Sequence, residues 1–226
     1  FDYRGHGDTP RPDGPVDWER YGDDAVAMGR AMRNAFGGPV LAFGHSMGGA
    51  CLLMAAHREP GLFSRLVLFE PIVFPPAGIR PQGDESPLAA GARRRRAVFP
   101  SHEAAIENFA SKPPLRSFTP AALEAYVRHG FRAGEDGQVH LKCLPDTEAA
   151  TFETGGTHRT WDALPEIDLP VLVVSGVVEP MQPSSIAAGV AERLPAGRYL
   201  ELPEFDHFAP MTHPEEMAAI IAGFTG

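Results

Sequence analysis

An apolar run, Val40-Leu41-Ala42-Phe43, drives into Gly44-His45-Ser46-Met47-Gly48 and then into a helical stretch, Ala50 to His57, closed by Pro60-Gly61. A Gly-x-Ser-x-Gly turn between strand and helix constrains the fold strongly. The backbone at its serine is strained, and glycines two residues either side leave room for neighbouring chain to pass. The hydroxyl of Ser46 then stands clear of the sheet. The Met47 amide points toward the same space from a helix N-terminus, where partial positive charge stabilises an oxyanion. Patterns of this kind also arise by chance in a chain with 24 glycines, but here both flanking elements sit where a nucleophilic serine needs them.

The rest of the pattern is α/β. Asp17 is placed to cap a helix whose apolar positions Trp18, Tyr21, Ala25, Met28 and Met32 recur at spacings of three and four, ending near Gly37-Gly38. Leu66 to Phe69 and Pro170 to Gly176 are continuous apolar runs, as expected for parallel strands buried on both faces, and Arg198 to Leu202 is a shorter strand. Helices are expected over Pro183 to Leu194 and Pro214 to Phe224, the second opened by Thr212 with Glu215 three residues on, a capping-box pattern. Alternating strands and helices predict an α/β scaffold with a mainly parallel sheet.

Residues 75–165 break that rhythm and read as a helical insertion in a core made of 1–74 and 166–226. The insertion opens with a Pro/Gly-rich stretch from Pro75 to Gly83. Ser101 and Thr119-Pro120 then start two short amphipathic helices carrying Ile106 and Phe109, and Leu123, Tyr126 and Val127. Val139 to Cys143 alternates after a turn at Asp136-Gly137 and reads as a strand or an extended loop.

Composition narrows the function. A net charge of −9 argues against nucleic-acid partners, since a polyanion is repelled by such a surface. No run approaches the length of a membrane span. Two cysteines, Cys51 and Cys143, form no disulfide framework, and a reducing, cytoplasmic compartment is expected. No histidines have metal-ligand spacing, and phosphate-loop and dinucleotide fingerprints are missing, so neither a metal nor another cofactor is expected.

The order of parts resembles the α/β-hydrolase fold, in particular its lidded esterase-like and lipase-like members. Asp2 to Asp8 looks like the loop after the fourth strand, Gly44 to Gly48 like the nucleophile elbow, and Glu70-Pro71 like the exit of the sixth strand. Pro170 to Pro180 looks like the seventh strand and its acid-bearing loop. Phe205-Asp206-His207-Phe208 looks like the histidine loop before the last helix. The resemblance implies Ser46 as nucleophile, His207 as general base then acid, and Glu179 as the carboxylate that orients the histidine. Glu70, at the same sheet edge, is the alternative acid, because some relatives place theirs there; Asp206 adjoins His207 too closely to curl back to its ring.

A small acyl substrate, a carboxylic ester or related compound, is the implied partner, with the Met47 amide in the oxyanion hole and the insertion as a lid setting substrate size. Phe109 and Tyr126 are the candidate substrate-lining residues, although such a stripe also reads as lid core. Carbon–carbon bond hydrolysis, acyl transfer or thioester cleavage on the same fold stay open, as does a non-catalytic ligand-binding module. Arg93 to Arg96 reads as a solvated face of a lid helix or, more sharply, as a dock for an anionic group. His45 is expected to pack beneath the elbow, His6 to buttress its glycine loop and His213 to neighbour a cap.

The sequence opens at Phe1 without an initiating Met. The resemblance also implies a second oxyanion amide from a loop after the third strand, which does not precede Asp2. The sequence is therefore expected to be N-terminally incomplete. Activity expectations apply to the completed protein, and the fragment alone is expected to fold poorly with little or no turnover.

Overall fold

The apolar runs at Val40–Phe43, Leu66–Phe69 and Val171–Val174 all lie in parallel strands. The computed structural model describes residues 1–11, 13–76 and 86–224, so part of the Pro/Gly-rich stretch, residues 77–83, lies outside the described residues. In chain order the elements are α1 (Trp18–Phe36), β1 (Val40–His45), α2 (Met47–Arg58), β2 (Phe63–Phe69), α3 (Pro87–Arg93), β3 (Val98–Phe99), α4 (His102–Ala110), α5 (Pro120–Gly130) and β4 (Phe131–Ala133). They continue with β5 (Val139–Leu141), α6 (Pro145–Thr154), α7 (Thr160–Ala163), β6 (Val171–Ser175), α8 (Ser184–Arg193), β7 (Gly197–Glu201), α9 (Ala209–Thr212) and α10 (Pro214–Gly223). The chain divides into two compact units. One takes in Trp18–Pro81, Gly155–Pro210 and Pro214–Gly226; the other takes in Phe1–Asp17, Gln82–Thr154 and Met211–His213.

The larger unit holds a four-stranded parallel sheet in the order β1-β2-β6-β7. Parallel neighbours need a crossover, and helices provide it. Val67, Phe69, Leu172 and Val174 join Met217 of α10, Phe205 and Phe224 in one buried cluster. Because side chains alternate, Leu66, Leu68, Val171 and Val173 turn to the opposite face, and all four are fully buried. Burial on both faces is what a run without polar interruption signalled. β1 and β7 are the outer strands, and Phe43 on β1 is exposed. In α1 the buried stripe runs Trp18, Tyr21, Gly22, Ala25 and Gly29. Met32, expected on it, is exposed, and the bare Gly29 admits Leu62 and Phe63 instead.

The smaller unit has a core of its own, Phe99, Ala105, Phe109, Leu115, Leu123, Val127, Phe131, Val139 and Leu141. Both expected helix starts are real caps: Ser101 Oγ accepts from the Ala104 amide and Thr119 Oγ1 from the Ala122 amide, each at 3.2 Å. The alternating stretch after Asp136-Gly137 is the central strand of a small antiparallel sheet, β3-β5-β4. Helix α3, which ends at Arg93 where a lid helix is expected, packs on α6, which the sequence does not signal, through Ala89, Ala92 and Ala149. Among the described residues no helix is long and apolar enough to cross a membrane.

Candidate active site

Ser46 lies between β1 and α2 with φ 52° and ψ −116°, a conformation an L-residue adopts only when its surroundings impose it. β2 and its exit supply them. The Ser46 amide donates to the Phe69 carbonyl at 2.9 Å, and the Ser46 carbonyl accepts from Ile72 at 3.3 Å and from Ala50 at 3.2 Å. Its side chain makes no capping bond to α2, which leaves the hydroxyl uncommitted to the helix.

The glycine requirement differs in part from the sequence reading. A Cβ on Gly44 would sit 2.7 Å from the Gly49 amide nitrogen and 2.8 Å from the Gly48 carbonyl, so Gly44 is obligatory. A Cβ on Gly48 would meet nothing within 4 Å. The second obligatory glycine is Gly49, where a Cβ would come 2.9 Å from Pro71 Cβ. We therefore expect Gly44→Ala to lower the melting temperature by roughly 10 °C or more and Gly48→Ala to change it by less than about 3 °C, as read by calorimetry.

His207 meets Glu70. Its Nδ1 lies 2.6 Å from Glu70 Oε2, and Glu70 Oε1 accepts from the Gly176 amide at 2.9 Å. Glu70 is 1% exposed, so both oxygens of a buried carboxylate are spoken for. Glu70 also has a positive φ of 45°, which puts backbone strain at the carboxylate as well as at the serine. Glu179, the acid expected first, is exposed, and its amide donates to Ser184 Oγ at 3.1 Å. The histidine is thus set against the alternative acid. The physical reason is that the Val177 amide ties the strand exit to the Phe205 carbonyl at 2.7 Å. This brings His207 over Glu70, while the chain beyond Val177 carries Glu179 outward. Gly176 is bare because a Cβ there would collide with the Phe205 backbone.

His45 completes the group. Its Nε2 lies 2.8 Å from the His207 carbonyl oxygen, and the two imidazoles are 4.6 Å apart at their centroids. Burial, then the neighbouring His207, hold its pKa down to about 3, against the opposing pull of that hydrogen bond. His45 is therefore neutral near pH 7, with Nε2–H donating to the carbonyl.

No local sequence pattern marks His158, whose surroundings are tertiary. Its ring stacks on Trp18 at 5.0 Å, its Nδ1 is 2.9 Å from Thr160 Oγ1, and its Nε2 is 3.1 Å from the Ile72 carbonyl. Burial lowers its pKa to about 4, opposed by the bonds to Ile72 and Gly155. An unfolded histidine takes its proton near pH 6.5, whereas this one resists until about pH 4. Its contribution to stability is then complete above pH 6.5 and declines by about 3 kcal/mol as pH falls to 4. Urea unfolding at pH 7.5, 5.5 and 4.5 is expected to show that decline, and His158→Phe to flatten it.

The remaining candidates fall in the smaller unit. Phe109 is core, its ring 5.7 Å from Phe99 and from Tyr126, and 6.1 Å from Phe131. Tyr126 packs on that core, and its hydroxyl is 3.1 Å from Arg95. Both side chains pack within the core of the smaller unit. The arginine run is mostly engaged too: Arg93 pairs with Glu153 at 2.7 Å, Arg95 with Glu148 at 3.0 Å, and Arg96 lies 4.3 Å over the Phe99 ring. Only Arg93 is helical, since α3 ends there. In the opening loop, the Asp8 amide donates to Asp2 Oδ2 at 2.9 Å, and His6 Nδ1 lies 3.1 Å from the Arg4 carbonyl. His213 Nδ1 lies 2.8 Å from Thr212 Oγ1, next to the Pro214 that opens α10.

The model of the family described as "Alpha/beta hydrolase family" matches residues 1–220. A type I acyl-CoA thioesterase, mpaH of Penicillium brevicompactum, is 29% identical over 144 residues, which cover 62% of this chain and 31% of that protein's length. A non-heme chloroperoxidase of Streptomyces lividans is 28% identical over 233 residues, covering 99% of this chain and 79% of the relative. The peroxisomal alpha-beta-hydrolase Lpx1 of Saccharomyces cerevisiae superposes with a TM-score of 0.82 at 17% identity, over 97% of this chain and 65% of that one, a likeness of fold.

Proposed function

We propose that this chain, which belongs to the alpha/beta hydrolase family, is a serine hydrolase that cleaves a carboxylic ester or related acyl compound through Ser46, His207 and Glu70. The observation that carries the reading is the 2.6 Å contact between His207 Nδ1 and the buried Glu70 carboxylate, beside the strained turn of Ser46. A carboxylate that accepts Nδ1–H leaves Nε2 as the bare, basic nitrogen. Nε2 takes the Ser46 proton as Oγ attacks the acyl carbon, the Met47 amide at the start of α2 holds the oxyanion, and the imidazolium returns the proton to the leaving alcohol. Water activated by the same nitrogen then releases the acid and restores the serine.

Glu70 holds the tautomer and offsets the imidazolium charge, while Glu179 has no part in the chemistry. The thioesterase relative favours extending the substrate range to thioesters. The test is hydrolysis of a panel of p-nitrophenyl esters and acyl-CoA thioesters of graded chain length. Turnover abolished by Ser46→Ala supports the reading. Saturable binding of an ester by the folded protein without turnover favours a ligand-binding module.

A further inference from the structure

We infer that His45 is a positioning residue, which ties the nucleophile to the base by holding the backbone of His207; the inference rests on the triad reading above. The Glu70 contact fixes one nitrogen of the His207 ring but leaves the ring free to swing about that bond, so the aim of Nε2 depends on where the His207 main chain sits. That main chain follows a loop. Upstream it is held by the Leu202 amide on the Ser175 carbonyl and by the Val177 amide on the Phe205 carbonyl, and downstream by the Ala209 amide on the Asp206 carbonyl. The carbonyl of His207 itself is taken by His45 Nε2 at 2.8 Å, from a residue 162 positions away in sequence.

His45 adjoins Ser46 directly, so any shift of the elbow carries the donor with it, and any shift of the histidine loop is resisted at the elbow. The ring contact supports this. The two imidazoles lie 4.6 Å apart at 47°, and Phe69 backs His45 at 6.0 Å. A carbonyl accepts only, which fixes the proton of His45 on Nε2. The depressed pKa of His45 also keeps it neutral while His207 gains and loses its proton, so the second ring adds no competing charge. Of the carboxylates, Glu70 is bonded to His207, and Asp206 Oδ1 accepts from the Phe208 amide. Neither takes the His45 proton.

The experiment compares wild type, His45→Gln, whose amide nitrogen reproduces the reach of Nε2, and His45→Phe, which keeps the ring and loses the donor. Two readouts are taken: kcat and KM for p-nitrophenyl butyrate, and the downfield proton resonance of His207 Nδ1–H in one-dimensional NMR. We expect His45→Gln to stay within about threefold of wild type, and His45→Phe to lose roughly 50-fold in kcat with KM little changed. The downfield resonance is expected to persist in the first variant and to broaden or shift in the second. Should His45→Phe not fold, His45→Asn replaces it, its amide one methylene short of the carbonyl, with the same loss expected. Wild-type kcat and an unmoved resonance in the donor-less variant overturn the inference, as does an equal loss in His45→Gln. If the full-length wild-type protein turns over no ester, the functional reading fails, and the resonance alone decides the role of His45.

Discussion

Ser46→Ala is expected to lower kcat for ester hydrolysis by about 10⁵-fold, His207→Ala to fall nearly as far, and the double variant to be no worse than either. Residues that act as one unit lose their value together: without Oγ there is nothing for Nε2 to deprotonate, and without Nε2 the hydroxyl stays protonated at neutral pH. The fold is expected to withstand the serine change. Ser46 caps no amide of α2, its backbone bonds to Phe69, Ile72 and Ala50 do not involve the side chain, and alanine meets the same strain at φ 52°. Thermal unfolding within about 3 °C of wild type, together with the loss of turnover, separates chemistry from stability.

Glu70→Gln is expected to lower kcat by about 10³- to 10⁴-fold, and Glu179→Gln to change it by less than about threefold. The amide variant is nearly isosteric. Its oxygen can still accept from the Gly176 amide, which turns its NH₂ toward His207 Nδ1. A donor there forces the proton onto Nε2 and leaves no base facing Ser46. KM should move little, because neither carboxylate is assigned to substrate binding. Steady-state kinetics on the two variants decides the acid: a loss confined to Glu70→Gln supports Glu70, and Glu179→Gln as the damaging change restores the acid expected first from sequence.

Which of the two carboxylates meets His207 is where the sequence is least informative. Glu70 and Glu179 both follow apolar runs that become neighbouring parallel strands, β2 and β6, and both emerge at the same edge. What distinguishes them is tertiary: the tie between Val177 and Phe205, the bare Gly176 that permits it, and the positive φ at Glu70. None of these leaves a periodic trace. The elbow, by contrast, was legible because its constraints are local, although the pattern of glycines did not reveal that Gly49, pressed on Pro71, matters where Gly48 does not.

The smaller unit shows the same division. Ser101 and Thr119 announced their helices through capping chemistry that needs only a few residues. β3 has two residues and β4 three, too short for alternation to register. An amphipathic stripe reads alike whether it lines a pocket or fills a core, so Phe109 and Tyr126 could be placed only by seeing what they touch.

The central claim is that Ser46 is a nucleophile activated by His207 and Glu70. Intact-mass analysis after reaction with a fluorophosphonate, followed by peptide mapping, tests it most directly. The account predicts one adduct per chain on the peptide carrying Ser46, absent in Ser46→Ala, strongly slowed in Glu70→Gln and unaffected in Glu179→Gln. No adduct on a demonstrably folded protein, or an adduct that survives Ser46→Ala, would contradict it.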